Sequence, residues 1–502
     1  MNRSPSDLQA TGRGNLTSRL LTLAPYAGVD DAAGIALEGA GPLLRAVALG
    51  IRADGRHELV WLALAVLTGR FPAPEQALAT ARALQLSPSG LCHRVFLDAA
   101  AGSPDGFARL SMPLDIVENA VVVDVDFCAT HMHNTGIQRV VRQTLSRWNR
   151  QHDVMMVAWT HPGHSMRTLT HAERSRVVNW TGVDSPEAPS GEPAPRLVVP
   201  YNSHVLLPEV PENSYCSPLA ALAQYSNNSV AMIGYDAIPV LSADMVPAEE
   251  SERFGAYLAV VKHSDVVAGI SAGSTLEFVG FAEAVGAQGL AGPTVVEVQL
   301  PVDTPDKTGD GYSQGSVGRI PSVLCVGSQE PRKNQLAVLF AADILWREGL
   351  EFSLTFVGGG SQWFIRTFDA HVRRLRKEGR DVTVRRGILD SDMLDEYRRA
   401  KFTVFPSLQE GYGLPVAESL VLGTPVITTN YGSTAEIARD GGCLMVDPRV
   451  DSSLADAMRL LLTDTDAYAT LVEQIATRPS RSWDDYADEL WDALVAGSSP
   501  RG

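Results

Sequence analysis

From residue 120 to residue 463 the chain keeps returning to one unit, a short apolar run followed by a longer stretch with helical spacing. Residues 120–125 are valine apart from Ala120 and Asp124. That composition suits a strand buried on both faces of a parallel sheet. A turn follows, and 135–147 then places Ile137, Val140, Val141 and Leu145 on one helical face. Further strand-like runs lie at 154–159, 204–207, 229–233 and 266–270, several of them separated by helical stretches. A second series has strands at 322–326, 353–357, 382–384, 402–405 and 425–428. Its helices are at 334–348, 364–378, 392–400, 415–422 and 453–463. Strand-then-helix order restricts the fold class to α/β, with doubly wound parallel sheets. The segment PVDTPDKTGDGYSQGSVGR at 301–319 is polar and rich in Gly, Asp and Ser, and it reads as a linker. Two such domains on a linker face a cleft, with ligands at the carboxyl ends of the strands.

The remaining divisions follow from composition. Residues 1–15 are polar and read as disordered. Residues 16–115 read as a helical N-terminal extension, with Ala- and Leu-rich segments at 44–52, 57–67 and 74–86. The two α/β domains occupy 116–300 and 320–480. The formal charge of −16 removes any electrostatic reason to bind nucleic acid. Phosphate must instead be met locally, and with only five lysines among 42 basic residues, Lys333 in a turn stands out. Five widely spaced cysteines form no pair motif, which fits a reducing cytoplasm. The N-terminus has no secretory pattern, and the longest apolar run, 59–67, is too short to span a bilayer.

The segment FPSLQEGYGLPVAE at 405–418 reads as a strand end, a tight loop and a helix start. Pro415 suits the first helical turn. Gly411 and Gly413 allow close backbone approach. The free N–H groups at such a helix end suit a diphosphate. Glu410 precedes the loop and Glu418 lies one turn into the helix, so they can address different parts of one elongated ligand. Taken singly, Glu418 also reads as a favourable first-turn acid and Glu410 as a solvated loop residue. A second segment, VGSQEPRKN at 326–334, puts Arg332 and Lys333 in a turn between strand and helix. Positioned cations of this kind stabilise a leaving diphosphate.

The whole of 405–418 resembles the E-x7-E signature of the retaining, GT-B-fold glycosyltransferases of family four. The resemblance implies that Glu410 faces the donor sugar and Glu418 holds the nucleotide ribose. It implies further that Gly411 is a donor-binding residue and that the amides of Tyr412, Gly413 and Leu414 face the diphosphate. Residues 326–334 are similar to the family's G-x-x-x-P-x-K-N donor loop. Ser328 stands where many members carry Arg, so Arg332 is expected to supply the second cation. FVGGG at 356–360 ends a strand in glycines as in the family, which adds Gly358. RGIL at 386–389 corresponds to a turn against the nucleotide base, with Ile388 as the contact. In the first domain, NTGIQRV at 134–140 resembles the T-G-I-x-R loop. There Thr135 caps the helix and Gly136 lets backbone approach the donor phosphate. IGYDAIP at 233–239 resembles x-H-D-x-I-P, with Asp236 matching and Tyr235 in place of the His near the reacting carbon. A phenol can donate a hydrogen bond there but is a poor acid–base near neutral pH.

The catalytic candidates are therefore Glu410, Arg332, Lys333, Tyr235 and Asp236. The resemblance implies transfer of a hexose from a nucleotide diphosphate sugar with retention, and no cofactor or metal. GDP-mannose is the first expected donor, followed by UDP-glucose and UDP-GlcNAc. The acceptor stays open between a glycan, a lipid-linked glycan and a protein, in surface polysaccharide or glycoconjugate synthesis. Residues 481–502 are expected to form a C-terminal crossover helix and tail. A cytoplasmic location is expected, with contact to the inner face of the membrane and homo-oligomerisation both open. Two other readings remain: a GT-B nucleotide-sugar epimerase, and a non-catalytic nucleotide-sugar-binding scaffold docking partners through 16–115. Asp124 and Asp126 look like the D-x-D metal motif of another glycosyltransferase fold, but they sit where family-four relatives commonly carry Asp. His131 and His133 lack further ligands at usable spacing and are expected to flank the cleft.

Overall fold

The computed structural model describes residues 15–102, 108–161, 164–182, 191–301 and 320–496. The segment expected to be disordered, except Asn15, and linker residues 302–319 lie outside the described residues.

The apolar runs pair into two sheets. The first holds β1 (Leu114–Glu118), β2 (Val121–Asp124), β3 (Val154–Trp159), β4 (Met166–Thr168), β5 (Leu197–Tyr201), β6 (His204–Leu207), β7 (Ser229–Gly234), β8 (Val266–Gly269) and β9 (Thr294–Glu297). Their order is β1-β5-β4-β3-β2-β6-β7-β8-β9. Only β4 runs antiparallel to its neighbours, β3 and β5. Because β2 lies between β3 and β6, the winding direction reverses there. The carboxyl ends of β2 and β6 therefore flank a crevice.

The second sheet holds β10 (Ser322–Val326), β11 (Ser353–Val357), β12 (Val382–Arg385), β13 (Phe402–Phe405), β14 (Val426–Thr429) and β15 (Cys443–Val446). All its strands are parallel, in the order β12-β11-β10-β13-β14-β15. That is the dinucleotide-fold order, with its reversal between β10 and β13. The α/β class of two doubly wound sheets is what the alternating pattern requires.

Five strands escape the apolar pattern, each for a physical reason. β1 and β9 lie at sheet edges and bury no side chain fully, and β15 is the other sheet's edge. β4 has only three residues. β5 is wholly buried but contains Pro200, which pairs with Val117 yet offers no N–H.

Residues 15–102 do not form a body of their own. The helix His57–Thr68 is buried continuously from Leu59 to Thr68. A helix apolar on every side belongs in an interior. Its side chains share one core with Leu43, Val47 and Phe96 on one side and with Trp159, Val198 and Val199 of the sheet on the other. Trp61 meets Phe71 at 5.2 Å between ring centroids, and Phe71 meets Trp159 at 5.8 Å. Arg19 ties the layer down by donating to Val66 O at 2.5 Å and to the Arg109 and Met112 carbonyls at 2.9 Å. These N-terminal helices thus extend the helical cover on one face of the first sheet.

The chain closes by returning to the first lobe. The helix Trp483–Trp491 lies on the helix Gly136–Gln151, and Trp148 Nε1 donates to Ala487 O at 2.9 Å. Tyr486, Leu490 and Leu494 join a core that holds Val140, Val141 and Leu145 from the first lobe and Val416 and Leu420 from the second. That shared core fixes the lobes' relative position.

Candidate active site

The second sheet's reversal point is built from two strand ends that approach closely. Gly327 and Gly358 have φ of +141° and +144°, and a Cβ on Gly358 would lie 2.2 Å from Gly327 O. Gly358 therefore allows the two strand-end loops to touch. Past Gly327, Ser328 Oγ donates to Glu330, and the turn Pro331–Lys333 sets Arg332 and Lys333 side by side. Leu408 N donates to Arg332 O at 2.8 Å, which binds this turn to the loop after β13.

Glu410 receives both cations. Lys333 Nζ stands 2.5 Å from Glu410 Oε1, and Arg332 Nη1 stands 3.1 Å from Oε2. Ser407 Oγ also donates to Glu410. The side chains are only 10–16% exposed. Burial pushes the Glu410 carboxyl up, but the Lys333 and Arg332 charges outweigh it and hold the group below its ordinary value. Burial likewise works against the Arg332 charge, and Glu410 and Glu330 overcome it. Asp236 reaches this cluster from the first lobe. Its carboxyl is raised by burial, with Arg332 pulling the other way.

The next loop carries the amides. Gly413, at φ +108°, caps the helix Leu414–Val421. The first turn bond runs from Val416 N to Gly413 O at 2.9 Å, so the amides of Tyr412, Gly413 and Leu414 precede it. The Tyr412 ring is buried, and its hydroxyl donates to Leu300 O at 2.8 Å. Glu418 accepts from Tyr397 Oη at 2.9 Å and pairs with Arg139 of the first lobe. Ile388 packs at the ends of β10 and β11 beside Leu324, Val326, Val357 and Tyr397.

The first lobe meets this surface directly. A Cβ on Gly136 would lie 3.0 Å from Leu414 Cδ1, and one on Gly411 would lie 2.4 Å from Tyr235 O. Ser271 Oγ donates to Gly411 O at 2.6 Å, and Gln409 Nε2 donates to Glu277 Oε1 at 2.9 Å. Glu436 caps the first-lobe helix Ala272–Gly286 by accepting from Ala272 N at 3.0 Å and Gly273 N at 2.8 Å. The Tyr235 hydroxyl is committed within its own lobe, donating to Pro208 O at 2.7 Å, and burial holds its pKa well above the ordinary value. What Tyr235 presents to the second lobe is backbone. Thr135 is the N-cap of the helix Gly136–Gln151, and its N–H donates to Gln138 Oε1 at 3.2 Å. Sequence reasoning singled out neither Arg139 nor Tyr397. Arg139 lay one turn beyond Gly136 in a quoted motif, whereas Tyr397 carried no signal.

Asp124 and Asp126 are used as buried acceptors. Asp124 Oδ2 takes the Trp159 indole N–H at 2.7 Å, and Asp126 Oδ1 takes the Trp159 backbone N–H at 2.7 Å. Among the described residues no group of three or more His, Cys, Asp or Glu is placed to hold a metal. His131 stacks on Phe127 at 4.3 Å, with His133 behind it at 6.1 Å from the same ring. Nearby, Glu209 accepts from the amides of Phe127 at 2.7 Å and Cys128 at 2.8 Å. Burial raises its carboxyl from 4.5 to about 7 despite those bonds. The folded chain thus holds this proton more tightly than the unfolded chain. The associated stabilisation is complete below about pH 4.5 and is lost as pH rises to about 7. Chemical denaturation of Glu209→Gln across that window should show the variant gaining on the native protein as pH rises. The gain should be at most about 1.4 kcal/mol per pH unit. A constant difference would contradict this titration.

Residues 320–464 match the family described as "Glycosyl transferases group 1". Serotype-specific mannosyltransferase WbdA of Escherichia coli is 25% identical over 335 residues, covering 64% of this chain and 40% of that protein. O-antigen chain mannosyltransferase B of Escherichia coli is 30% identical over 171 residues, covering 34% of this chain and 44% of that protein. The chain thus spans less than half the length of either relative. Among solved structures, sucrose-phosphate synthase from Thermosynechococcus elongatus superposes with a TM-score of 0.52 at 18% identity, covering 76% of this chain and all of that one. The chain has the GT-B fold, and over 320–464 its second lobe matches the group 1 glycosyl transferases.

Proposed function

We propose that the protein transfers a hexose, mannose in the first instance, from a nucleotide diphosphate sugar to a glycan acceptor, with retention and without a metal. The observation that carries the reading is the pair Arg332 and Lys333, both within 3.1 Å of one enclosed carboxylate at the second sheet's reversal point. A glycosyl donor cleaves to leave a diphosphate, and the charge that develops must be met where it forms. Arg332, Lys333 and the amides of Tyr412, Gly413 and Leu414 supply that stabilisation. Glu410 stays ionised because both cations adjoin it, so it can accept hydroxyl groups of the donor sugar. Glu418 can accept the ribose hydroxyls once Arg139 turns from it. The departing diphosphate oxygen takes the acceptor's proton.

Mannose is favoured because two relatives are named as mannosyltransferases. Retention and metal independence rest on the E-x7-E and E-P-R-K-N resemblance. On this reading the protein works in the cytoplasm, at the inner face of the membrane where the acceptor is lipid-linked. No helix among the described residues is long and apolar enough to cross a membrane.

A thermal-shift screen tests the donor assignment. A ligand that binds only the folded chain adds about 2.7 kcal/mol at a hundredfold excess over its Kd. GDP-mannose should raise the melting temperature more than UDP-glucose or UDP-GlcNAc. A larger rise with either UDP-sugar would move the donor assignment, and no rise with any of them would end the reading.

A further inference from the structure

The first sheet has a reversal point of its own, and a cavity of about 300 Å³ opens there, lined from the carboxyl ends of β2, β6 and β7. Asp236 belongs both to this cavity and to the cluster around Arg332 and Glu410, so the cavity adjoins the place where the donor sugar would react. Its lining is unbalanced in charge. Glu209, Glu212, Asp236 and Glu250 face it, while Arg253 is the one cation among the described lining residues. That guanidinium is already paired, 3.0 Å from Glu250, and both groups lie at the exposed rim. Glu209 is fixed by its two backbone donors. Phe127, steadied by the stacked His131 ring, supplies an aromatic wall.

We infer that this cavity is the acceptor site and that it selects an uncharged sugar over a phosphorylated or uronic one. The inference rests on the proposed glycosyl transfer and narrows its acceptor. Hydroxyl groups donate to fixed carboxylates, and an aromatic face covers the C–H side of a sugar ring. Above about pH 7, where Glu209 has released its proton, a phosphate would give up its hydration to face carboxylates without an unpaired cation, which selects against it by repulsion. Arg332 and Lys333 act on Asp236 at the inner end of the cavity, but neither lines it, and both are paired with Glu410 on the donor side.

The test compares methyl α-mannoside with α-mannose 1-phosphate, and the glucose and galactose pairs likewise. Each pair differs only at the blocked anomeric position. Acceptor-dependent release of nucleoside diphosphate is followed with the full chain. The methyl glycosides should be favoured by at least about tenfold in kcat/KM, equivalent to about 1.4 kcal/mol. Glu212→Lys combined with Glu250→Lys should shrink the preference several-fold, with its melting temperature confirming the fold. Equal use of both members of a pair, or preference for the phosphate, overturns the inference. So does acceleration by neither while slow donor hydrolysis persists. If no donor is bound or hydrolysed at all, the glycosyl-transfer reading has failed instead.

Discussion

Replacing Lys333 with alanine is expected to lower nucleotide-sugar turnover by about 10²–10³-fold, the usual cost of removing one positioned charge from a developing anion. Lys333 Nζ is 2.5 Å from Glu410 and its side chain is 11% exposed, so water replaces it poorly. The variant should still fold. Arg332 and Ser407 continue to hold the Glu410 carboxylate, so no buried charge is left alone. The expected pattern is a collapse of nucleoside diphosphate release with a melting temperature close to the native value. Lys262→Ala is the control, because that ammonium donates to the exposed Gln288 carbonyl at 2.5 Å, far in sequence from the donor loops. A Lys333→Ala protein that unfolds, or one that turns over donor at the native rate, would remove Lys333 from the mechanism.

The second large effect comes from a single methyl group. In Gly411→Ala the new carbon would lie 2.4 Å from Tyr235 O and 3.1 Å from Asp236 Cβ. Neither backbone can yield locally, because Ser271 fixes the Gly411 carbonyl and Pro208 anchors the Tyr235 ring. Relief of the clash needs about 1 Å of separation between the lobes, and a misplacement of that size costs about 10²-fold in rate. Small-angle scattering should report a slightly more open particle, and kcat should fall further than donor affinity. Gly280→Ala is the contrast. That Cβ enters open space in the helix Ala272–Gly286, so activity should persist and stability should rise by about 0.5–1 kcal/mol. Equal behaviour of the two variants would mean that the lobes do not meet at Gly411.

The contrast between legible and hidden features follows from what a local pattern can carry. The runs at 154–159, 322–326 and 402–405 announce their strands because both faces are buried and nearly every residue is apolar. Pro200 conceals β5 because the same residue argues against a strand when read locally. The helix His57–Thr68 is equally apolar in sequence, but nothing local says that it packs on β5 with one side and on other helices with the other. At the site, Arg332 and Lys333 were readable because a turn between strand and helix exposes cations together. The contact of Arg139 with Glu418 was not, since 279 residues separate them and only the packing of the two lobes creates it. Tyr235 was readable as a departure from its relatives' pattern, but the commitment of its hydroxyl to Pro208 belongs to the folded lobe alone.

In the proposed function, the cluster of Glu410, Arg332 and Lys333 performs glycosyl transfer. The most direct test is to incubate the protein with GDP-mannose carrying ¹³C at the anomeric carbon, together with a mannoside acceptor, and to follow that carbon by NMR. The expected result is loss of the donor signal, release of GDP and a new α-linked anomeric signal that is absent with Lys333→Ala. An unchanged donor signal, with the same outcome for labelled UDP-glucose and UDP-GlcNAc, would contradict it.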